Sequence, residues 1–158
     1  MTRDQAITDI LAECRAQGVI RHTQMAYVLA TAQHETGNTF MPVRERGKLA
    51  RVRHGAYYGR GLVQLTHRAN YAKYQQILGL PLVTHPDLAL RPEVSTFILV
   101  YGMRTGAFTG KRLDDYLTNQ KTDFLNARRI VNGLDRAQLI AGYAATWLAH
   151  LRRQPIGA

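Results

Sequence analysis

The residues with most to say about chemistry are the glutamates, because the chain holds only four: Glu13, Glu35, Glu45 and Glu93. Glu13 falls on the polar side of a first helix, and Glu93 follows Pro92 in the first turn of another, where the helix dipole favours an acid. Both have sufficient structural reasons. Glu35 differs, since it ends a helical stripe shared with Val28 and Ala32 and faces the negative end of the dipole; both effects favour a protonated carboxyl. A carboxyl kept protonated near neutral pH can serve as a general acid, for instance toward a glycosidic oxygen. The alternative is a side chain pointing into solvent beyond the last turn.

Glu45 has opposite surroundings. Arg44 and Arg46 flank it and Lys48 is near, so its ionised form is favoured, which suits a general base. Two carboxyl groups in contrasting environments are what inverting glycoside hydrolysis uses, with roughly 6.5–9.5 Å between them to admit a water. A solvated charge cluster on a loop also accounts for Glu45. The segment Tyr57 to Thr66 is rich in tyrosine and glycine. Tyrosine faces pack on sugar rings, and glycine lets the backbone approach a ligand, with Gln64 and Thr66 as hydrogen-bonding groups. The same segment reads equally as a hairpin packed for stability. The six histidines are scattered, and His34-Glu35 has no second histidine at helical spacing, so neither a metal site nor a cofactor is expected. Cys14 reads as a small buried residue, not a nucleophile.

The elements that must hold these groups are mostly helical. Thr2 and Gln5 form a capping box for a first helix with Ile7, Ile10, Leu11 and Cys14 on one face, ending before Gly18. Thr23 can cap a second helix that closes at Gly37. Met41 to His54 reads as a basic surface loop, and Ala56 to Leu65 as a small hairpin or bulged strand. Thr66 caps a helix towards Leu78 and Gly79. Pro92 opens a buried helix through Phe97–Tyr101 to Gly106. Two more helices are predicted, over 123–131 and from Asp135 to about Arg152. The fold class is mainly α (α+β), with one small β element.

The 158 residues fit a single domain, and the apolar share of 46% excludes a disordered or collagen-like chain. One cysteine excludes an internal disulfide. No apolar run of about 18 residues is present, and the start Met1-Thr2-Arg3-Asp4 does not resemble a signal core. Cytoplasmic synthesis without an export signal is therefore expected. The formal charge of +10 favours an anionic partner: nucleic acid, anionic lipid or envelope polymer.

Several segments together resemble a known family. Ala26-Tyr27-Val28-Leu29-Ala30-Thr31-Ala32-Gln33-His34-Glu35-Thr36-Gly37, Glu45-Arg46-Gly47, Tyr57-Tyr58-Gly59-Arg60-Gly61-Leu62-Val63-Gln64-Leu65-Thr66 and Asn70-Tyr71 are similar to the family 19 glycoside hydrolases. So are Asn126-Ala127-Arg128-Arg129-Ile130-Val131-Asn132-Gly133, Asp135 and Ile140-Ala141-Gly142-Tyr143-Ala144. Within that family the chain looks most like the phage endolysin and bacterial muramidase branch. The resemblance implies a lysozyme-like, two-lobed helical fold with a cleft, residues 1–158 forming one catalytic domain. It implies Glu35 as general acid, Glu45 as the acid that activates water, and Thr66 as a residue holding that water. Tyr58, Arg60, Gln64, Asn70 and Asn132 fall at substrate-binding positions, with Arg128 and Arg129 beside them. The twelve residues Arg46 to Tyr57 are fewer than many relatives carry, and plant chitinases of the family have disulfides that this chain cannot form.

The activity so implied is that of an endolysin hydrolysing, with inversion, the β-1,4 bond between N-acetylmuramic acid and N-acetylglucosamine. The expected partners are peptidoglycan glycan strands, the anionic bacterial envelope and a separate holin-type release protein, with the enzyme monomeric and acting at the cell wall or periplasm. A chitinase acting on N-acetylglucosamine polymers is the nearest alternative, and a lytic transglycosylase a further one. Non-catalytic alternatives are a wall-binding module and a basic nucleic-acid-binding protein, the latter motivated by the charge and the Arg44–Arg53 cluster. The basic end Arg152–Ala158 reads as a frayed terminus or a membrane-disrupting tail.

Overall fold

A computed structural model of the chain describes residues 1–46 and 48–154; Gly47 and residues 155–158 of the basic end lie outside the described residues. Helix α1, Arg3–Ala16, starts at the expected capping box: Thr2 Oγ1 accepts from the Gln5 amide and Gln5 Oε1 accepts from the Thr2 amide. It buries Ala6, Ile10 and Cys14. Helix α2, His22–Glu35, begins earlier than expected, with Arg21 at the cap position and Thr23 buried inside the first turn. Every residue from Thr23 to Ala32 is buried, so α2 is surrounded by the rest of the fold. Gln24 fixes its start by donating to Asp114 Oδ1 and to the Leu117 carbonyl.

The stretch read as a basic loop is more ordered than that. It holds strand β1, Val43–Arg44, and a short helix α3, Lys48–His54. Runs of arginine are good helix formers, and the absence of an apolar period hides such an exposed helix. Strand β2, Arg60–Gly61, pairs antiparallel with β1 in the register Val43↔Gly61 and Arg44↔Arg60, and a bridge Arg60↔Leu65 closes the tip. The expected hairpin thus becomes a two-strand ribbon with a tight loop at its end. Gly61 is required there: its φ is +95°, and a Cβ would lie 2.8 Å from Ser95 Oγ and 3.1 Å from the Ala89 carbonyl.

Helix α4, Arg68–Leu78, ends as expected at a left-handed Gly79, but Thr66 does not cap it; His67 holds the cap position with φ +74° and gives no side-chain bond. Helix α5, Pro92–Thr105, has proline in its first turn and a left-handed Gly106 after its last residue, as the sequence foretells. Helix α6, Leu113–Tyr116, is a short turn not expected from the sequence. The helix predicted over 123–131 is a 3-10 segment, Asn126–Ile130, because Asp123 accepts from the Asn126 amide and side chain and tightens the entry. Helix α7, Ala137–Arg153, is the last helix among the described residues.

Two apolar clusters result. The larger joins α1, α2, α6, α7 and the 3-10 segment through Ile10, Leu29, Leu113, Ile130 and Ile140. The smaller joins the ribbon, α4 and the start of α5 through Leu65, Tyr71, Leu82 and Ile98. Helix α5 contributes to both, and half-buried Val63 and Phe108 pack against both, so the seam between the clusters runs past these two side chains. The molecule is the expected mainly helical, two-lobed arrangement with one small sheet. Among the described residues no helix is long and apolar enough to cross a membrane.

Candidate active site

Glu35 is the last residue of α2, and the C-terminal turn carries it off the buried stripe. Val28 and Ala32 are fully enclosed, whereas the Glu35 side chain keeps about a quarter of its surface, 23%. Its neighbour is a charge. Arg128, only 4% exposed, donates from Nη1 to Glu35 Oε1 at 3.1 Å and from Nε to the Asp135 carbonyl at 2.9 Å. The apolar surroundings inferred from sequence are thus replaced by a buried guanidinium, delivered by the 3-10 segment. Spacing within α2 could not reveal a partner 93 positions away. Behind this pair lies Tyr27, whose buried hydroxyl has no hydrogen-bond partner among the described residues. Burial pushes that phenol up, the charge of Arg128 draws it down and that of Glu35 pushes it up again, for a net rise.

Glu45 follows β1 and is half-buried. Its amide donates to the Gly59 carbonyl at 2.7 Å, and its Oε2 accepts from the Gly59 amide at 2.9 Å, so backbone and side chain are both fastened to the facing strand. Each of the two glutamates therefore has one carboxylate oxygen held by the protein. Among the described residues, Glu35 Oε2 and Glu45 Oε1 have no protein donor.

Around Glu45 the ribbon tip is built from reciprocal hydrogen bonds. Gln64, at φ +57°, donates from Nε2 to the carbonyls of Val43 and Gly61, at 2.8 and 3.1 Å. A Cβ on residue 59 would lie 2.6 Å from Gln64 Oε1 and 3.1 Å from Gln64 Cβ, so a larger residue at Gly59 would displace the Gln64 side chain from these bonds. Thr66 Oγ1 donates to the Gln64 carbonyl and Asn70 Nδ2 to the Thr66 carbonyl, each at 2.8 Å. Gln64, Thr66 and Asn70 line one hollow of about 150 Å³, walled by Val63, Tyr74 and Phe108. Val63 and Phe108 are the seam residues, so the structure places these three groups beside the junction of the lobes. Asn132 is exposed just beyond the 3-10 segment: its amide donates to the Arg128 carbonyl and its Oδ1 accepts from Gly133.

Tyr58 and Arg60, expected among the substrate contacts, are instead enclosed, at 6% and 5% exposure. Arg60 lies 3.9 Å over the Tyr58 ring. It donates from Nε to Asp87 and from Nη1 to the carbonyls of Ala56 and Tyr58 and to the Tyr71 hydroxyl. Arg44 reaches the same Asp87 with both amino groups and the Tyr58 hydroxyl with one of them. The group that organises this knot is Asp87, which carries no motif signal and was not foreseen. Hydrogen bonds from Arg44, offset in part by burial, and then from Arg60 hold its carboxyl below the ordinary carboxylate range.

A mainly helical lysozyme-like fold is the class of protein these features define, and comparison with known proteins agrees on the fold. Chitinase C of Streptomyces griseus superposes with a TM-score of 0.72 at 21% identity, covering 92% of this chain and 69% of that one. A bacterial family 19 chitinase superposes with a TM-score of 0.62 at 17% identity, over 98% of this chain and 88% of its own. The fold is therefore the one these chitinases have.

In sequence, the chain is 34% identical over 88 residues to an endochitinase of Arabidopsis thaliana, covering 50% of this chain and 31% of that protein. It is 40% identical over 67 residues to chitinase 11 of Oryza sativa subsp. japonica, covering 42% and 26%. A third relative, 37% identical over 65 residues and covering 40% and 21%, is the inactive chitinase-like protein 1 of Hevea brasiliensis. The chain spans about a third or less of the length of the curated relatives it matches. No protein-family model matches it.

Proposed function

We propose that this chain is a glycoside hydrolase that cleaves β-1,4 bonds between N-acetylated hexosamines, and that its substrate is the peptidoglycan glycan strand. The observation that carries the reading is the pair of glutamates, each held by one carboxylate oxygen with the other free of donors among the described residues. A carboxyl fixed by one oxygen presents the other in a defined direction, which is the requirement for a positioned acid or base.

Glu35 is the general acid, giving its proton to the glycosidic oxygen. As that proton leaves, the Arg128 guanidinium at 3.1 Å stabilises the carboxylate that forms. Glu45 is the base, removing a proton from the attacking water, so the product anomer is inverted. Thr66 donates its hydroxyl hydrogen to Gln64, which leaves its oxygen lone pairs to accept from that water. Asn70 and Asn132 offer exposed amides to sugar hydroxyls and acetamido groups.

Chitin is the second reading, favoured by the names of the relatives. The surplus of ten positive charges favours peptidoglycan, because an anionic envelope attracts such a surface over distances that neutral chitin does not. In this reading the enzyme is monomeric and acts at the wall after a separate membrane-permeabilising protein admits it. The test is mass spectrometry of the products from purified peptidoglycan and from chitin oligomers, with wild type and Glu35→Gln. Muropeptides ending in a reducing N-acetylmuramic acid support the proposal. Anhydro ends identify a transglycosylase, and cleavage of chitin alone moves the substrate to the second reading.

A further inference from the structure

The ribbon that fastens Glu45 has a second face. Side chains alternate across a strand, so Arg44 projects away from its neighbour Glu45. On the Arg44 side lies a cavity of about 580 Å³, lined by Arg44 from β1, Arg51 from α3, Tyr58, Arg60 from β2, His85 and Asp87. Three guanidinium groups thus share one concavity with a single carboxylate, a surplus of two positive charges.

The donors are not all used internally. Asp87 takes up both amino groups of Arg44 and the Nε of Arg60. Arg60 is only 5% exposed, yet its Nη2 has no protein acceptor among the described residues. The Arg51 guanidinium lies 5.8 Å from the Tyr58 ring and within ion-pair distance of no carboxylate among the described residues. Guanidinium groups held this way repel one another, and the repulsion is stronger in a concave, partly enclosed space than in open water. A bound anion offsets it.

The arrangement also specifies the anion. A planar carboxylate matches the fork of one arginine, whereas the tetrahedral oxygens of a phosphate accept from donors arriving from different directions. Here the free donors come from two separate elements, α3 and β2, and the surplus of two charges matches a phosphate dianion. The volume exceeds what the phosphate itself fills, leaving room for the molecule that carries it. We propose that this cavity is a phosphate-binding site, with Arg51 and the free amino group of Arg60 as its donors, and that it takes a phosphate monoester on a sugar-sized molecule. The site is independent of the glycan reading, since none of its donors belongs to the opposite face.

Calorimetric titration with inorganic phosphate and with glucosamine 6-phosphate, sodium chloride holding the ionic strength constant, tests the proposal. Wild type is expected to bind both saturably, the ester more tightly. Arg51→Ala, an exposed change on α3, should weaken both at least tenfold, while Arg53→Ala, on the same helix but outside the cavity, should stay within twofold. Equal binding of the ion and the ester keeps the site and assigns it to free phosphate. Binding unchanged in Arg51→Ala, equal losses in the two variants, or heats reproduced by chloride alone would overturn it.

Discussion

The two lobes are held together by different physics, and each supplies one of the two acids. The helical lobe buries α2 from Thr23 to Ala32 and closes α1, α6 and α7 around it, so that Glu35 hangs from an element that cannot shift without opening the core. The ribbon lobe has a smaller apolar cluster, and its strands are two residues long. Its order comes from directional bonds: Gln64 to two carbonyls, Glu45 to Gly59, and Arg44 and Arg60 to Asp87. Apolar burial resists local opening, whereas exposed hydrogen bonds exchange readily with water. In the proposed mechanism the acid is therefore on the rigid side, and the base on the side with more freedom to adjust.

The largest expected effect separates chemistry from stability. Glu35→Gln keeps an oxygen for Arg128 but loses the proton to be donated, so kcat should fall about 10²- to 10⁴-fold. Because the amide oxygen still accepts from Arg128, urea unfolding should change by no more than about 1–2 kcal/mol. Glu45→Gln retains the acceptor for Gly59, so it should lower kcat without a measurable change in stability. Wild-type turnover in Glu45→Gln would assign water activation to another group and remove the division of labour between the lobes.

Next in size is the core itself. Leu29 is fully buried in α2, and Leu29→Ala should cost about 2–5 kcal/mol, read as a lowered urea midpoint with an unchanged slope. Cys14 lies in the same cluster, where burial, reinforced by Glu13, pushes its thiol up to about 12 from an ordinary 9.0. Its alkylation at pH 8 should therefore track global unfolding and rise in Leu29→Ala by the factor that its stability loss predicts. Rapid alkylation of the native wild type would show that the helical lobe opens locally.

This contrast also explains what the sequence disclosed. Helices α1, α4, α5 and α7 were legible because a cap, a glycine stop or an apolar period marks them locally, as Thr2 with Gln5 and Pro92 with Gly106 do. The residues of the ribbon tip could be named from their types and their family resemblance. Arg128 and Asp87 were not legible as partners, because their meaning is set by contacts 93 and 43 positions away. The same holds for Tyr58 and Arg60: an aromatic next to a glycine and an arginine reads as a ligand surface until tertiary structure stacks the pair and closes it over Asp87. Short helices such as α3 and α6 were missed for another reason, since a turn or two gives no period to count.

The smallest expected effect is the most diagnostic of the ribbon lobe. Asp87 is 61% exposed, so its pairs with Arg44 and Arg60 should stabilise the protein by no more than about 1 kcal/mol. Its folded carboxyl titrates below the ordinary 3.8, so the unfolded chain takes up the proton first as acid is added. The stabilisation is thus complete above about pH 5 and is lost as pH falls from the unfolded value through the folded one. Asp87→Asn removes that dependence. Its unfolding free energy should lie slightly below wild type at pH 7 and converge on it near pH 2, with the Glu45–Gly59 amide exchanging faster than amides of α2 throughout. An equal acceleration of exchange in α2 would mean that the two lobes open as one unit, and the contrast in their construction would then have no consequence for their motion.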